Sequence, residues 1–104
     1  MKEALSFIEQ HYSEDISIED ISSFCGLNRS YFSKVFRDTM GESPQGFLLH
    51  YRMAQAAQLL TESRLPIRTI STMVSYPNQL HFSRAFKNVY GISPRDYRAK
   101  HFAL

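Results

Sequence analysis

Apolar residues recur every three or four positions through most of the chain, which is the spacing that lines one face of an α-helix. The longest such stripe contains Leu49, Met53, Ala56 and Leu60, and it predicts a helix over about 44–62. A helix of this length extends about 28 Å. No segment alternates apolar and polar residues for long enough to predict a strand, so we expect an all-α fold.

Capping residues delimit the other helices. Side chains that accept hydrogen bonds from a first helical turn precede the predicted starts: Ser17, Asn28, Ser43, Asn78 and Ser93. Ser17 with Asp20 has the spacing of a capping box, and proline follows Ser43 and Ser93 at the first helical position. Three predicted helices end at a glycine: Gly26, Gly41 and Gly91. The sequence therefore predicts seven helices, the first over about 2–12, the fifth opening at Pro66 and the last ending near His101.

The second half of the chain repeats the first. Between 28–47 and 78–97, seven of twenty positions are identical and four more keep their chemical character. Upstream of these segments the offset falls from 50 to 49, because the second copy has one extra residue near Tyr76-Pro77. Insertions fall in turns, so each copy is predicted as a short helix, a turn and a longer helix, which is the helix-turn-helix plan.

This repeat gives the expected domain organisation of the whole chain, 1–104. We expect a first helix-turn-helix subdomain over 2–41, a long linker helix over 44–62 and a second helix-turn-helix subdomain over 63–101. The phenylalanines repeated in the longer helices are predicted to be core residues: Phe32, Phe36, Phe82 and Phe86.

The face opposite these phenylalanines carries basic and small side chains. In the first copy they are Ser30, Lys34 and Arg37, with Tyr31, Ser33 and Asp38 beside them. In the second copy they are Leu80, Arg84 and Lys87, with His81 and Ser83 beside them. Arg84 or Lys34 could contact the edge of a guanine, and Leu80 could pack on a thymine methyl. Arg37 and Lys87, further along each helix, suit phosphates. An exposed basic side chain is usually only solvated. Packing, however, gives no reason for both copies to keep these charges at matched positions.

Charge is distributed unevenly along the chain, although the net formal charge is only +2. Residues 1–20 carry one lysine and six carboxylates, a net charge of −5, and the remainder carries +7. The basic body suggests a polyanion as partner. The acidic stretch over 9–20 suggests a competing interpretation, a module that binds only a basic protein surface. That interpretation leaves the repeated basic residues unexplained.

Other chemistry has little support in the sequence. The four histidines are widely separated and Cys25 is the only cysteine, so we predict no metal site, no cofactor and no catalytic residue, and the chain is not expected to be an enzyme. Cys25 is expected to pack as a buried thiol beside Phe24 on the apolar side. No apolar run approaches the length of a membrane span. A single cysteine without a signal peptide favours the cytoplasm.

Three separated motifs resemble the AraC/XylS family of bacterial transcription regulators. They are Phe82-Ser83-Arg84-Ala85-Phe86-Lys87, then Gly91-Ile92-Ser93-Pro94 with Tyr97-Arg98, and in the long helix Arg52-Met53, Ala56 and Leu59-Leu60. The resemblance covers about 2–101. It implies sequence-specific binding of double-stranded DNA by two tandem helix-turn-helix units, whose recognition helices enter adjacent major-groove segments. Most members of the family join this domain to an N-terminal sensor domain that responds to an effector, and some stand alone; of the two, we expect this chain to be the C-terminal domain of a longer regulator. In such a regulator, contact of the acidic face with RNA polymerase or with a sister domain would add to DNA binding.

The resemblance also implies the contact residues. Base contacts would come from Ser30, Tyr31, Ser33 and Lys34 in the first unit and from Gln79, Leu80, Ser83 and Arg84 in the second. Phosphate contacts would come from backbone amides near Ser17, Ile18 and Ile67 and from the side chains of Arg37 and Lys87. The chain departs from the family at Ser75, where glycine is usual. A left-handed backbone there would cost serine roughly 1–2 kcal/mol, unless Pro77 reshapes the turn.

Overall fold

The computed structural model describes residues 1–102, and these form seven α-helices without a strand among them. The helices are α1 Lys2–His11, α2 Ile18–Phe24, α3 Arg29–Met40, α4 Pro44–Glu62, α5 Ile67–Met73, α6 Gln79–Tyr90 and α7 Pro94–His101. The all-α prediction is confirmed. Two predicted boundaries move by one residue: α1 ends at His11, and Pro66 lies at the N-cap of α5 rather than in its first turn.

Side chains cap the helix starts as predicted. The Ser17 hydroxyl accepts from the Asp20 N–H at 3.0 Å, and the Asp20 carboxylate accepts from the Ser17 N–H at 2.8 Å, which completes a capping box. Asn28 and Asn78 each accept from the backbone N–H three residues further on, at 2.9 and 3.1 Å. Such a cap typically contributes about 1 kcal/mol. The start of each longer helix is thus fixed by local sequence.

The chain divides into two compact units, Met1–Leu49 and the residues from His50 onward. In the first unit α1 packs on α2 and α2 on α3; in the second α5 packs on α6 and α6 on α7. Helix α4 begins in the first unit and ends in the second. Each helix-turn-helix pair therefore has a core of its own.

The aromatic core is repeated with nearly the same geometry. Phe32 and Phe36 lie 5.7 Å apart between ring centroids, and their counterparts Phe82 and Phe86 lie 5.9 Å apart. All four side chains are fully buried. A third ring meets the second phenylalanine edge-on in each unit. Between ring centroids, Phe47 lies 5.5 Å from Phe36 and Tyr97 lies 5.3 Å from Phe86. Burying such rings holds the longer helix of each unit with its opposite face outward.

Two apolar residues near the end of α2 are less buried than expected. Ile18 and Ile21 are core residues, but Phe24 is 58% exposed and lies over Phe7 of α1, with 4.9 Å between ring centroids. Cys25 is only half-buried. The helical spacing identified the apolar side of α2 correctly, but its last turn lies at the margin of a small unit, where α1 covers one side of the ring only.

Arg98 joins the last helix to the end of α4 within the second unit. Its Nε donates to the Leu60 carbonyl at 3.0 Å and its Nη2 donates to the Ser63 carbonyl at 3.2 Å. The final carbonyls of a helix have no partner within the helix. The guanidinium therefore satisfies groups at the C-terminus of α4, where a positive charge is also favourable.

Candidate nucleic-acid interface

The outward faces of α3 and α6 contain the residues predicted to contact bases. In α3 the buried Phe32 lies between Tyr31 and Ser33, and in α6 the exposed His81 and the buried Phe82 lie between Leu80 and Ser83. At 100° per residue, each set of four lies on one side of its helix. Ser30, Tyr31, Lys34, Gln79, Leu80 and Arg84 are exposed, and Ser33 and Ser83 are half-buried. Tyr31 and Leu80 present large apolar surfaces to solvent, 55% and 58% exposed. Each unit thus offers an exposed face with a basic side chain near its middle, and an apolar side chain and a small hydroxyl lie beside it.

The basic residues in the middle of the two faces, Lys34 and Arg84, differ in their surroundings. The Lys34 ammonium lies 3.8 Å from the Asp38 carboxylate one turn further along α3, and both side chains are exposed. The position equivalent to Asp38 in α6 is Asn88, which carries no charge. A carboxylate on this face repels phosphate and competes for Lys34, whereas Arg84 meets no such competitor at that position. Arg37 and Lys87, in the last turns of the same helices, are exposed.

The starts of the short helices also differ. At α2 the Ser17 N–H is already bonded to Asp20, and Glu19 and Asp20 place two carboxylates in the first turn. The side chain of Ile18 is buried, so this residue offers only its backbone. At α5 the N-cap is Pro66, without a side-chain cap, and no acid lies in the first turn. The amide of Ile67 is therefore better suited to an anion than that of Ser17 or Ile18.

Arg68 is a basic residue that sequence reasoning missed. It follows Ile67 in the first turn of α5 and is exposed. A basic side chain beside the free backbone amides of a helix N-terminus adds a charge-assisted hydrogen-bond donor for a phosphate. The signal was present in the sequence, since Arg68 stands where the first unit has Glu19.

The turn before α6 has a backbone conformation unusual for its residue type. Ser75 has φ 69°, close to the φ 71° of Gly26 at the equivalent turn before α3. Ser75 is the one residue other than glycine with positive φ within the part of the chain that the structure describes. The left-handed turn expected from the family is thus kept with serine in the glycine position. Pro77 lengthens the turn by one residue and does not remove the left-handed conformation.

The net charge differs in sign between the two units. The first, Met1–Leu49, has four basic and eight acidic residues and a net charge of −4. The second has eight basic and two acidic residues and a net charge of +6. Attraction to phosphate is therefore concentrated in the second unit.

Other kinds of site find little in the structure. Over residues 1–102, no group of three or more histidine, cysteine, aspartate or glutamate side chains could hold a metal ion. No helix in that part of the chain is long and apolar enough to span a membrane. Burial, together with the nearby Glu3 carboxylate, raises the pKa of the Cys25 thiol above its ordinary value.

Comparison with known proteins identifies the family. The family described as "Helix-turn-helix domain" matches residues 21–100. The lactose operon transcription activator of Staphylococcus xylosus is 35% identical over 104 residues, which is all of this chain and 37% of that protein. The C-terminal domain of AraT, a response regulator from Geobacillus stearothermophilus, has a TM-score of 0.95 and 34% identity, covering 99% of this chain and 86% of that one.

A transcriptional regulator of the AraC-type DNA-binding-domain proteins from Chromobacterium violaceum has a TM-score of 0.89 and 30% identity, covering 96% of this chain and 89% of that one. The fold and the paired exposed faces therefore define a helix-turn-helix DNA-binding protein. Within that class, the chain belongs to the AraC-type family of transcription regulators. The resemblance found in the sequence is confirmed. The chain spans about a third of the length of the curated relatives it matches.

Proposed function

We propose that the chain binds operator DNA with α3 and α6 as recognition helices, which enter adjacent major-groove segments, and that it regulates transcription there. The observation that carries this proposal is the repeated face. Both longer helices are capped and each is anchored by a buried phenylalanine pair, and both have a basic residue, Lys34 or Arg84, at the same exposed position. In this arrangement 2–41 and 63–101 are the two reading subdomains and 44–62 is the linker.

The base-reading residues have distinct roles in the second unit. Arg84 donates two hydrogen bonds to the O6 and N7 atoms of a guanine, and Leu80 packs on a thymine methyl. Gln79, at the start of α6, bonds the edge of an adenine, and Ser83 allows the backbone to approach closely. Gln79, Leu80 and Arg84 are exposed and Ser83 is half-buried on the same side of α6, which supports these roles.

The first unit reads with weaker groups. Lys34 contacts a guanine edge as a single point charge after leaving Asp38. Tyr31 supplies apolar contact, and Ser30 and Ser33 supply short hydroxyls.

The phosphate contacts fix the register of each unit on the duplex. Arg37 and Lys87 provide them from the recognition helices. The amides of Ile67 and, more weakly, of Ser17 and Ile18 provide them from the short helices, with Arg68 added in the second unit. Because the basic side chains are concentrated in the second unit, it supplies most of the salt-dependent affinity.

Selection from a library of random duplexes at moderate salt tests the proposal. We expect two enriched boxes whose centres are about 10–11 bp apart, one helical turn of DNA. The logarithm of the association constant should then fall linearly with the logarithm of the salt concentration. Absence of enrichment, together with absence of binding at low salt, would contradict DNA reading.

A second role, contact with a protein, is favoured by the surface of α1 and α2. Phe24 is exposed over Phe7, and Phe7 stacks on His11 at 4.5 Å between ring centroids. The surrounding unit is acidic, so this surface suits a basic partner such as a surface of RNA polymerase. Phe24→Ala is expected to lower transcription activation in a purified system and to leave operator affinity unchanged. Equal loss of both would assign Phe24 to the fold.

Membership of the family supports a wider setting for this chain. The chain acts as the DNA-binding part of a longer regulator, joined to an N-terminal sensor domain that responds to an effector. It acts in the cytoplasm, where bacterial DNA is found, without a cofactor and without catalysing a reaction. Fusing the chain to candidate sensor domains and measuring effector-dependent operator binding tests the sensor assignment.

A further inference from the structure

A buried serine closes the turn between α5 and α6. The Ser71 hydroxyl donates to the Tyr76 carbonyl at 2.5 Å, and the Tyr76 N–H donates to the Ser71 carbonyl at 2.9 Å. Ser71 is 1% exposed, so water does not compete for its hydroxyl. The two bonds bridge the end of α5 to the far side of Ser75, the residue with the left-handed backbone.

The equivalent serine in the first unit, Ser22, makes the same backbone bond, since its carbonyl accepts from the Leu27 N–H at 2.9 Å, but its hydroxyl acts differently. Ser22 is also 1% exposed, but its hydroxyl donates to the Glu19 carbonyl in its own helix at 3.0 Å. A serine in a helix ordinarily bonds a preceding carbonyl in this way. The turn there is shorter and has Gly26 in the left-handed position. The Ser71 hydroxyl therefore supplies a bond across the turn that its counterpart does not make.

The closed turn leads directly into the recognition helix. The Tyr76 ring meets Phe82 edge-on with 6.1 Å between centroids, and Phe82 is the first of the two fully buried residues of α6. Two residues after Tyr76, Asn78 caps α6. A shift of the Tyr76 backbone would therefore be transmitted to the first turn of α6, which contains Gln79 and Leu80.

We propose that Ser71 is a positioning residue for DNA reading: its hydroxyl holds the longer, left-handed turn so that α6 presents Arg84 and Leu80 at the angle that base contact requires. This proposal rests on the proposed function, because it assumes that α6 reads bases. It assigns Ser71 no contact with DNA, since the residue is buried.

The test uses the selected operator and its single-base variants at fixed salt. Ser71→Ala is expected to lower discrimination between the operator and variants of the α6 box about tenfold, which lies within the range of one bidentate base contact. Discrimination in the α3 box should change less than about twofold. Ser22→Ala is the matched control, since it removes a hydroxyl of the same burial that does not cross a turn, and it should leave both boxes unchanged.

A second variant separates positioning from stability. Ser75→Gly removes the cost of the left-handed serine, so Ser71→Ala/Ser75→Gly is expected to recover the free energy of unfolding in urea. Discrimination in the α6 box should stay low in this double variant. The proposal is overturned if discrimination returns together with stability, if Ser71→Ala leaves the α6 box unchanged, or if Ser22→Ala damages its own box equally.

Arg84→Ala, measured in the same assay, keeps the two proposals distinct. If Arg84→Ala removes discrimination in one box and Ser71→Ala does not, the positioning role fails and DNA reading by α6 stands. If Arg84→Ala leaves every box unchanged, α6 is not the reader, and the proposed function fails with the inference that rests on it.

Discussion

The two units use the same internal packing beneath different surfaces. Their core phenylalanine pairs are separated by 5.7 and 5.9 Å, and the ring that meets each pair edge-on lies at nearly the same distance. Their net charges are −4 and +6, and one turn has glycine where the other has serine. The core preserves a helix-turn-helix shape, so the surface can diverge without loss of the fold. Divergence at the surface then sets how much each unit contributes to binding.

The largest expected effect concerns what the units share. Phe36→Ala and Phe86→Ala each remove a fully buried ring, and each is expected to lower the free energy of unfolding by about 3–5 kcal/mol. The loss at Phe86 should be the larger, by less than about 1 kcal/mol, because the Tyr90 ring also contacts Phe86 with 4.7 Å between centroids, where the first unit has Met40. Urea unfolding measures both. A much smaller loss in one unit would show that its core is less tightly packed than its counterpart.

The next effect separates the two reading faces. Arg84→Ala is expected to weaken operator binding by about 1–3 kcal/mol, and the loss should depend on the base sequence of one box. Lys34→Ala should cost less than about 1 kcal/mol, because Lys34 shares its charge with Asp38 in the free protein. Fluorescence anisotropy with labelled operator measures both variants. Equal losses would remove the proposed difference between the units.

The two turns can be exchanged. Ser75→Gly is expected to stabilise the second unit by about 1 kcal/mol, since glycine adopts positive φ without steric cost. Gly26→Ser should destabilise the first unit by a similar amount, and by little more, because a Cβ at Gly26 would meet nothing within 4 Å. Thermal unfolding of the two variants provides the comparison. A stabilising Gly26→Ser would contradict the conformational cost.

Exchanging one carboxylate should make the faces more alike. Asp38→Asn removes the partner of Lys34 and one negative charge from the α3 face, and it is expected to raise operator affinity about two- to fivefold at low salt. Asn88→Asp should lower affinity by a similar factor. Titrations at two salt concentrations check both variants, since the effects should shrink as salt rises. An effect that is independent of salt would point to a change of structure.

The smallest effect is the pH dependence of stability that Cys25 gives the first unit. Burial raises the pKa of Cys25 above its ordinary value of 9.0, so the thiol ionises in the unfolded chain before it does so in the folded one. Its contribution to stability is full below about pH 9 and is lost as the pH rises through the folded-state pKa. Cys25→Val, which copies Val74 of the second unit, should show a shallower loss of stability above pH 9. An unchanged slope would assign the loss to other groups.

Local chemistry explains why most of the fold was predictable. The capping serines and asparagines, the glycine stops and the phenylalanine spacing each act within a few residues, so the sequence places helix ends to within a residue. The internal repeat supported these helix assignments independently, because equivalent positions in the two copies should occupy equivalent positions in the two helix-turn-helix units. The exposure of Phe24 was not predictable in this way, because it depends on how much of α2 the neighbouring α1 covers.

The candidate site was predictable in its composition and less so in its energetics. The basic residues Lys34 and Arg84 could be found because their charge is repeated at matched positions. The i, i+4 spacing of Lys34 and Asp38 also favours an ion pair on a helix surface. The direction of the Ser71 hydroxyl was not predictable. Ser22 and Ser71 occupy matched positions and are equally buried, yet only the Ser71 hydroxyl bonds across its turn.

Selection of bound duplexes by the Arg84→Ala variant, beside the wild-type chain, tests the central claim most directly. The account predicts that the wild-type chain enriches two boxes about one helical turn apart and that Arg84→Ala loses the base preference of one box while keeping the other. Retention of both boxes with uniformly weaker binding would contradict the account, because Arg84 would then contact phosphate and the second unit would not read bases through it.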